Sequence, residues 1–463
     1  MMHRRDLLKL GSLTGLSLLL PDVARADSAP WGGPYFLHMH AGGGWDPTLF
    51  CDGKLTGAGY ENKLITGVEM VGGVPVPAAT GTGKFLLRRG GNPFEDPKHF
   101  FETVGKKFVV FNGLDTQTNN HATGTQSAGC GHSDIELPCI AALYAGKVSK
   151  GRDVAMAFLA NGPYNRTDDV VTVSRFPGDK LAKLSAPYKP DGADKAGFLS
   201  DYTVGRMQQL RAERMKALAA QASLPRNKRT LGALETAMRS QTAMAALAQV
   251  NTMASPTFAS FEAQLSPDTL AYMRVTVSGS GASAVSRFVE HGKPMEQILR
   301  CFQAGLSVSA TYAEHGFDTH SNHDVAQQDV MASFVSRLRY VALRAEQMGI
   351  ADKLYVLVTS DFGRTPKYNS DNGRDHWNVT SALLMGPGIA GGRAIGKSDA
   401  SFGAMRVNKT NVATSLPDSD SSGLRIRPSH LHRELRRVLH VEDIAKPFAL
   451  PTGSGEEALP LLG

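Results

Sequence analysis

The chain has 463 residues, of which 42% are hydrophobic and 20% are charged, and its formal net charge is +7. This composition is typical of a globular protein with a large core, arranged as one large domain or as two to three ordinary ones. The positive charge is spread along the chain without a long basic block or an aromatic–basic pattern, which argues against nucleic-acid binding.

The first 26 residues have the pattern of an export signal. Arg4 and Arg5 precede an apolar run from Leu10 to Leu20, and Ala24-Arg25-Ala26 follows as a small-x-small cleavage site. The run is too short to span a bilayer, and the paired arginines are typical of twin-arginine export. We therefore expect 1–26 to be a twin-arginine signal peptide, the export machinery to be a partner, and the mature protein, 27–463, to be exported in folded form and to be periplasmic or secreted.

The first half of the mature chain predicts strands and helices in alternation. An apolar strand runs into the glycine-rich turn of PYFLHMHAGGGWD (34–46), and KKFVVFNG (106–113) is typical of a second buried strand. IELPCIAALYAG (135–146) predicts the helix behind it. From about 199 to 253 the chain is rich in Ala, Leu, Met, Gln and Arg, which predicts a helical insertion.

The second half continues the alternation. A helix at MEQILRCFQAG (295–305) precedes a strand within 306–318, and a long helix with one apolar face runs from about Asp324 to Met348. KLYVLVTS (353–360) and TSALLMG (380–386) predict two further buried strands. This order, with polar residues at the strand ends, predicts a doubly wound α/β sheet.

Four polar clusters follow predicted strand ends, where sites form in such sheets. They are HMHAGGGWD (38–46), LDTQTNNHATGTQSAGCGHSD (114–134), GFDTHSNHD (316–324) and SDFGRTPKYNSDNGRDHW (360–377). Histidines and carboxylates together suit zinc, manganese or iron. Each cluster alone is equally well explained by a polar loop, so the inference of a metal site depends on their joint placement. The four cysteines form no CxxC pair and are expected to be small buried residues.

Several of these stretches together resemble a known family. RRDLLKLG, GGGWD, QTNNHATGT, FDTHSNH and SDFGRTPKYNSDNGRDHWNVTSALLMGPGIAGGRAIG are similar to the exported bacterial family called domain of unknown function 1501. That family looks like a branch of the alkaline phosphatase superfamily. The resemblance implies a mixed sheet flanked by helices, of the alkaline phosphatase or sulfatase type, with a metal site at the sheet edge.

The resemblance also implies site residues. The implied ligands of a divalent metal ion, zinc first and manganese or iron as alternatives, are Asp46, Asp318, His320, Asp361 and His376, with His40 as a rival of Asp46. If the protein is catalytic, the chemistry of this ligand set leads us to expect that His121 protonates the leaving group and that Arg364 makes bidentate contacts to the substrate anion. The alternative for His121 is a hydrogen-bonding residue of the loop.

Two positions depart from the superfamily pattern. Asn120 occupies the expected place of the nucleophile, and Phe362 replaces a histidine after Asp361. The first interpretation is a metal-dependent hydrolase of small anionic phosphate or sulfate esters, in which water attacks. The alternatives are an exported protein of the same fold that binds a metal or ligand without turnover, and a structural surface protein. Family members are often encoded beside another exported protein, so an exported partner is a further expectation. Nothing in the sequence indicates the oligomeric state.

Overall fold

The computed structural model describes residues 31–463 apart from 58, 82–83, 153, 176–200, 225–226, 229–230, 232–249, 251–252 and 275–285. The predicted signal peptide (1–26) and much of the predicted insertion (about 199–253) therefore lie outside the described residues. Among the helices that are described, none is both long and apolar enough to cross a membrane.

A central sheet organises the described part of the chain. The strands are β1 (Tyr35–Gly42), β2 (Gly67–Val71), β3 (Val74–Ala78), β4 (Leu87–Arg89), β5 (Asn92–Glu95), β6 (Val109–Asp115), β7 (Phe158–Asn161), β8 (Val173–Ser174), β9 (Ser309–His315), β10 (Leu354–Ser360), β11 (Gly363–Arg364), β12 (His376–Trp377), β13 (Val379–Met385), β14 (Arg393–Ile395), β15 (Arg406–Val407), β16 (Ser415–Leu416) and β17 (Leu424–Arg425). The sheet has the order β14-β6-β13-β10-β1-β9-β7-β8. The remaining strands form small two- and three-stranded sheets around it.

The central sheet is mixed. Strand β1 is parallel to both neighbours, β10 and β9, whereas β13 is antiparallel to β10 and β6. In the register of these pairs, Ala41 lies opposite Ser360 and Gly42 opposite His315. The carboxyl ends of β9, β1 and β10 therefore meet at one edge, and the segments that follow them are brought together there.

Helices cover both faces of this sheet. The described helices are α1 (Pro97–Glu102), α2 (His121–Cys130), α3 (Ile140–Ser149), α4 (Asp201–Gln221), α5 (Pro267–Arg274), α6 (Arg287–Gln303), α7 (His323–Gln347), α8 (Pro428–Val438) and α9 (Glu442–Ala445), of which α4 is almost wholly exposed where its side chains are described. Short 3-10 turns lie at Pro47–Leu49, Val104–Lys107, Phe258–Ser260, Glu262–Gln264 and Ala351–Lys353.

Two hydrophobic cores lie on opposite faces of the sheet, because successive side chains of a strand point to opposite faces. Leu37 and Met39 of β1 belong to the core that includes α6 and α7, whereas Phe36 belongs to the core that includes α3 and α8. By the same alternation His38 and His40 project to the Phe36 face, where both are buried. Two buried histidines on a face that otherwise carries apolar side chains indicate a polar site on this side of the sheet, where His40 contacts Asp361.

The predicted class, a mixed α/β sheet flanked by helices, is confirmed. The strands expected at 34–46, 106–113, 353–360 and 380–386 are found as β1, β6, β10 and β13, and the long helix is found as α7. The helix expected at 135–146 begins later, at Ile140, because Pro138 disfavours helix at the residue before it and Cys139 is extended at the N-cap. In the expected insertion, α4 is described and is helical. The four cysteines are free and buried, as expected.

Candidate metal centre

The turn Gly42–Gly44 after β1 lets three segments of the chain approach one another. Gly43 and Gly44 have φ values of 118° and 83°, in the left-handed region that favours glycine. A Cβ atom on Gly43 would lie 2.6 Å from the backbone nitrogen of Asp318, and one on Gly44 would lie 2.6 Å from the ring of Phe362. The GGG sequence therefore packs β1 between the segments that carry Asp318 and Asp361.

Asp361 follows β10 directly and is buried, with a side chain that is 3% exposed. Its Oδ1 accepts from His40 Nε2 (2.6 Å) and Thr125 Oγ1 (2.9 Å), and its Oδ2 accepts from His121 Nδ1 (2.7 Å) and the Gly43 backbone N–H (3.0 Å). Burial raises the pKa of this carboxyl, but the hydrogen bonds from His40 and His121 outweigh it and hold the pKa well below its usual range. Asp361 is therefore an ionised anchor whose oxygens are already taken up by protein donors.

A hydrogen-bonded chain leads from Asp361 into the sheet. Burial holds the pKa of His38 well below its usual value, so His38 is neutral. Thr359 Oγ1 lies 2.7 Å from His38 Nε2 and 2.9 Å from His40 Nδ1. The Thr359 hydroxyl therefore links His38 to His40, and His40 Nε2 donates to the carboxylate of Asp361. This chain fixes the orientation of His40 and, through it, of Asp361.

Asp318 faces three imidazoles. Its Oδ1 lies 3.1 Å from His320 Nε2 and 3.2 Å from His376 Nε2, and its Oδ2 lies 3.4 Å from His121 Nε2. The two Nε2 atoms of His320 and His376 are 2.9 Å apart. Partial burial raises the pKa of Asp318, but the hydrogen bond from Arg364 outweighs it and the pKa is lowered, so Asp318 is a carboxylate. One nitrogen from each of three rings thus converges on one carboxylate.

The opposite nitrogen of each of these rings is fixed by an acceptor. The Nδ1 atoms of His121, His320 and His376 lie 2.7, 2.8 and 2.7 Å from Asp361 Oδ2, Asp375 Oδ1 and the backbone oxygen of Asn119, respectively. A carboxylate or carbonyl oxygen only accepts, so each Nδ1 carries a proton and each ring turns its Nε2 atom toward Asp318. This is the arrangement by which proteins orient histidine ligands of a metal ion.

The donor set fits a divalent cation. One atom each from His121, Asp318 and His376 lies within 4.8 Å of the others, in a group that is exposed enough for an ion to enter. His320 adds a third imidazole beside Asp318. Lone pairs and a carboxylate that face one another repel unless a cation lies among them, and imidazole with carboxylate is a ligand set suited to zinc.

Asp46 does not fit the predicted role of a ligand. It is buried before the 3-10 turn at 47–49, where its Oδ1 accepts from the Thr48 backbone N–H (3.0 Å) and hydroxyl (2.6 Å). Its Oδ2 accepts from His323 Nε2 at 3.0 Å. His323 Nδ1 in turn lies 2.8 Å from Thr319 Oγ1. Through His323 and Thr319, Asp46 therefore supports the loop that carries Asp318 and His320.

Arg364 also differs from its predicted role. The guanidinium is fully buried: Nε donates to Gly44 O (2.8 Å), Nη1 to Arg374 O (3.0 Å), and Nη2 to Gly43 O and to Asp318 Oδ1 (2.7 Å). Its donors are occupied by the protein, so it has no paired N–H groups to offer to a substrate anion. Arg364 instead orients Asp318 and ties the glycine turn to the segment after β10.

Asp361 contacts the Nδ1 side of His121 and not the Nε2 side that faces Asp318, and both of its oxygens are bonded to protein donors. In this arrangement it orients His121 and does not face the metal centre. His121, predicted to be catalytic, projects its Nε2 atom into the centre beside Asp318.

A comparison with protein families identifies the chain. The family model described as "Protein of unknown function (DUF1501)" matches residues 94–416. The chain belongs to this family. The match includes Asp318, His320, Asp361 and His376 but begins after the GGGWD turn, which the predicted resemblance had included. No curated protein matches the chain.

Solved structures similar to this member of the family include several hydrolases and a synthase. A lipoteichoic acid synthase from Listeria monocytogenes matches with a TM-score of 0.30 and 7% identity, over 84% of this chain and 73% of that one. An alkaline phosphatase from the Antarctic bacterium TAB5 matches with a TM-score of 0.27 and 12% identity, over 77% and 93%. A phosphonate monoester hydrolase from Silicibacter pomeroyi matches with a TM-score of 0.25 and 12% identity, over 76% and 70%. The TM-scores are low, so these similarities carry no conclusion about the function of this chain.

Asn120, in the position expected for a nucleophile, is the N-cap of α2. Its Oδ1 accepts from the Thr123 backbone N–H at 3.2 Å, a common use of Asn at this place. The helix packs so closely that a Cβ on Gly124 would lie 2.4 Å from the backbone oxygen of Asp361. Asn120 therefore starts the helix that brings His121 to Asp361.

Phe362, which replaces the expected histidine, forms an apolar wall beside the centre. It is fully buried, and its ring centroid lies 4.4 Å from that of His376 and 4.9 Å from that of His121. The ring limits the rotation of both imidazoles, so Phe362 adds rigidity to the site.

Several residues that support the site were not predicted from the sequence. Thr125 is hydrogen-bonded to Asp361, and Thr359 is hydrogen-bonded to His40. The backbone oxygen of Asn119 accepts a hydrogen bond from His376. No signal in the sequence could have identified them, because ordinary threonines and a backbone carbonyl acquire these roles only through the tertiary fold. Asp375 was noted in the fourth polar cluster beside His376, but the sequence indicated no role for it.

Proposed function

We propose that the chain is a metal-dependent hydrolase of phosphate or sulfate esters. The observation that carries the proposal is the convergence of the Nε2 atoms of His320, His376 and His121 on Asp318, with each Nδ1 fixed by an acceptor. In this proposal Asp318, His320 and His376 hold one divalent ion. Zinc is the first choice because of the imidazole-rich ligands, and manganese or iron are alternatives.

A divalent ion held there would supply a Lewis acid that neutralises charge on a phosphoryl or sulfuryl oxygen and lowers the pKa of a water molecule. The chain's own residues would do the rest. Arg364 and the glycine turn hold Asp318 in one orientation, since the Arg364 guanidinium contacts both. Phe362 keeps the rings of His121 and His376 in place.

His121 is the proposed group for proton transfer. Its Nδ1–H is bonded to the ionised Asp361, and its Nε2 faces the centre. Protonated at Nε2, it would give that proton to the oxygen of the departing alcohol as water supplies the new bond to phosphorus or sulfur. Asp361 would remain ionised and stabilise the charged imidazole, as in other aspartate–histidine pairs.

Asn120 favours a second candidate, a protein that binds a metal or ligand without turnover. Its side chain is a helix cap and cannot become an alkoxide. The hydroxyl of Thr125, one turn further along the helix, donates to Asp361. In the proposed hydrolase water is the nucleophile, and an assay of ester turnover separates the hydrolase from a non-catalytic binder.

The test is ester turnover by the folded mature protein after reconstitution with zinc, manganese or iron. We expect hydrolysis of ethyl phosphate or ethyl sulfate that a chelator abolishes and the metal restores, and that Asp318→Ala lacks. A metal-loaded protein that hydrolyses neither ester would support the non-catalytic binder.

The proposal includes export. RRDLLK and the apolar run up to Leu20 support a twin-arginine leader and a periplasmic or secreted location. Fractionation of cells that express Arg4→Lys together with Arg5→Lys tests it: the mature form is expected to disappear from the exported fraction. An exported partner protein remains part of the proposal, with co-purification from that fraction as its test.

A further inference from the structure

A polar groove of about 320 Å³ opens beside the candidate metal centre and is lined by Asp115, Gln117, Thr118, Asn119 and Asn378. The groove adjoins the centre through Asn119, whose backbone oxygen accepts from His376 Nδ1 at 2.7 Å. Its volume is at the small end of the range of ligand sites, so the groove suits a single small group attached to whatever reacts at the centre.

The floor of the groove is the buried carboxylate of Asp115. Its Oδ1 accepts from the Gln117 backbone N–H (3.0 Å) and from Asn378 Nδ2 (2.6 Å), and its Oδ2 accepts from Arg425 Nη1 (3.0 Å). Arg425 also pairs with Asp418 through Nε and Nη2. The cation near the groove is therefore shared between two carboxylates, and the groove does not favour a second anionic group.

The walls of the groove are amides and a hydroxyl. Gln117 and Asn119 are exposed, and each side-chain amide has both donor and acceptor atoms. Gln117 has a φ of 58°, which is uncommon for a residue other than glycine. Among the described residues that line the groove, none is aromatic or aliphatic, so it offers no surface for a nucleobase, an aryl group or an acyl chain.

We propose that this groove binds the alcohol portion of the substrate, and that this portion is a sugar or another polyol. Hydroxyl groups both donate and accept, so they match a wall of amides and a carboxylate better than an apolar or charged group does. The inference rests on the proposed function, because the anionic part of the ester would lie at the metal centre.

Matched pairs of esters test the inference on the metal-loaded mature protein. Glucose 6-phosphate is compared with ethyl phosphate, and glucose 6-sulfate with ethyl sulfate. Both members of a pair release a primary alcohol, so they differ mainly in the hydroxyls that the groove would contact. We expect KM to be at least about tenfold lower for the sugar ester, as about two additional hydrogen bonds would give.

The variant Gln117→Gly removes one amide while suiting the positive φ of this position. We expect it to reduce the preference for the sugar ester, measured as the ratio of kcat/KM values within a pair, by about fivefold to tenfold. The control Asp443→Asn changes a surface partner of Lys147 and should leave the ratio unchanged.

The outcomes separate the two proposals. Equal KM values within each pair, or a ratio that Gln117→Gly does not change, would overturn the polyol inference and leave the hydrolase standing. No turnover of any of the four esters would overturn the proposed hydrolase and the inference together.

Discussion

The Nε2 atoms of His320 and His376 lie 2.9 Å apart, and the Nδ1 atom of each ring is fixed by an oxygen acceptor. Two neutral imidazoles in this orientation direct lone pairs at each other. The contact is favourable only when a cation, either a metal ion or a proton, lies among these atoms and Asp318. Metal binding and proton transfer are therefore the two properties that the variants below separate.

Asp361→Asn should separate orientation of His121 from metal binding. The amide keeps the size of the side chain but removes the charge that fixes the His121 Nδ1 proton, so we expect kcat to fall by about 10²- to 10⁴-fold. Since Asp361 does not face the centre, metal content should be unchanged. Ester turnover and elemental analysis of the same preparation measure both, and loss of the metal would restore Asp361 to the ligand role predicted from the sequence.

Asp375→Ala should weaken metal binding without removing a ligand. Asp375 accepts from His320 Nδ1 at 2.8 Å, and loss of such a partner typically costs about 10- to 100-fold in metal affinity. Competition with a chelator of known affinity measures the change. Asp371→Ala, an exposed position in the same loop, is the matched control. Equal affinity in both variants would show that His320 is not oriented through Asp375, or is not a ligand.

Gly124→Ala should destabilise the protein although alanine favours helix. A Cβ at this position would lie 2.4 Å from the backbone oxygen of Asp361, and such overpacking costs about 1–3 kcal/mol, which exceeds the helix propensity gain of about 1 kcal/mol. Denaturant unfolding measures the free energy of unfolding. The control is Gly453→Ala, because a Cβ at Gly453 would meet no atom within 4 Å. If Gly124→Ala is as stable as Gly453→Ala, the close approach of α2 to the segment after β10 is contradicted.

Asp46 should contribute to stability in a pH-dependent way. Burial raises the pKa of Asp46, but the opposing effects of His323 and Arg374 are larger, so the pKa falls from 3.8 to about 2. Burial dominates for His323, whose own pKa is lowered, so the pair at neutral pH is a carboxylate and a neutral imidazole. A depressed carboxyl pKa stabilises the folded state above the unfolded pKa and ceases to do so as the pH falls through the folded pKa.

Asp46→Asn is therefore expected to lower the free energy of unfolding by about 2 kcal/mol at pH 7. The difference from wild type should stay constant down to about pH 4 and narrow below it as the wild-type carboxyl is protonated. Urea titrations between pH 7 and pH 3 measure it, with Asp371→Asn as an exposed control. A difference that grows as the pH falls would contradict the assigned sign.

Much of the fold could be predicted from the sequence, because buried parallel strands such as 353–360 are almost wholly apolar and the clusters that follow them are polar. The sequence also identified Asp318, His320 and His376, which the structure brings together. Asp46 and Arg364 follow strand ends as well, but their side chains point behind the centre. The position of Asp46 and Arg364 along the chain predicted that they lie at this edge of the sheet. The orientation of their side chains depends on the glycine turn and on partners such as His323, which are distant in sequence.

The metal content of the folded mature protein tests the central claim most directly. Elemental analysis after reconstitution should find about one equivalent of zinc, manganese or iron per chain. Asp318→Ala and His376→Ala should lose it, whereas Asp46→Asn should retain it. No metal above background in the wild type, or equal content in all of these proteins, would contradict the claim that His320, His376 and Asp318 form a metal site.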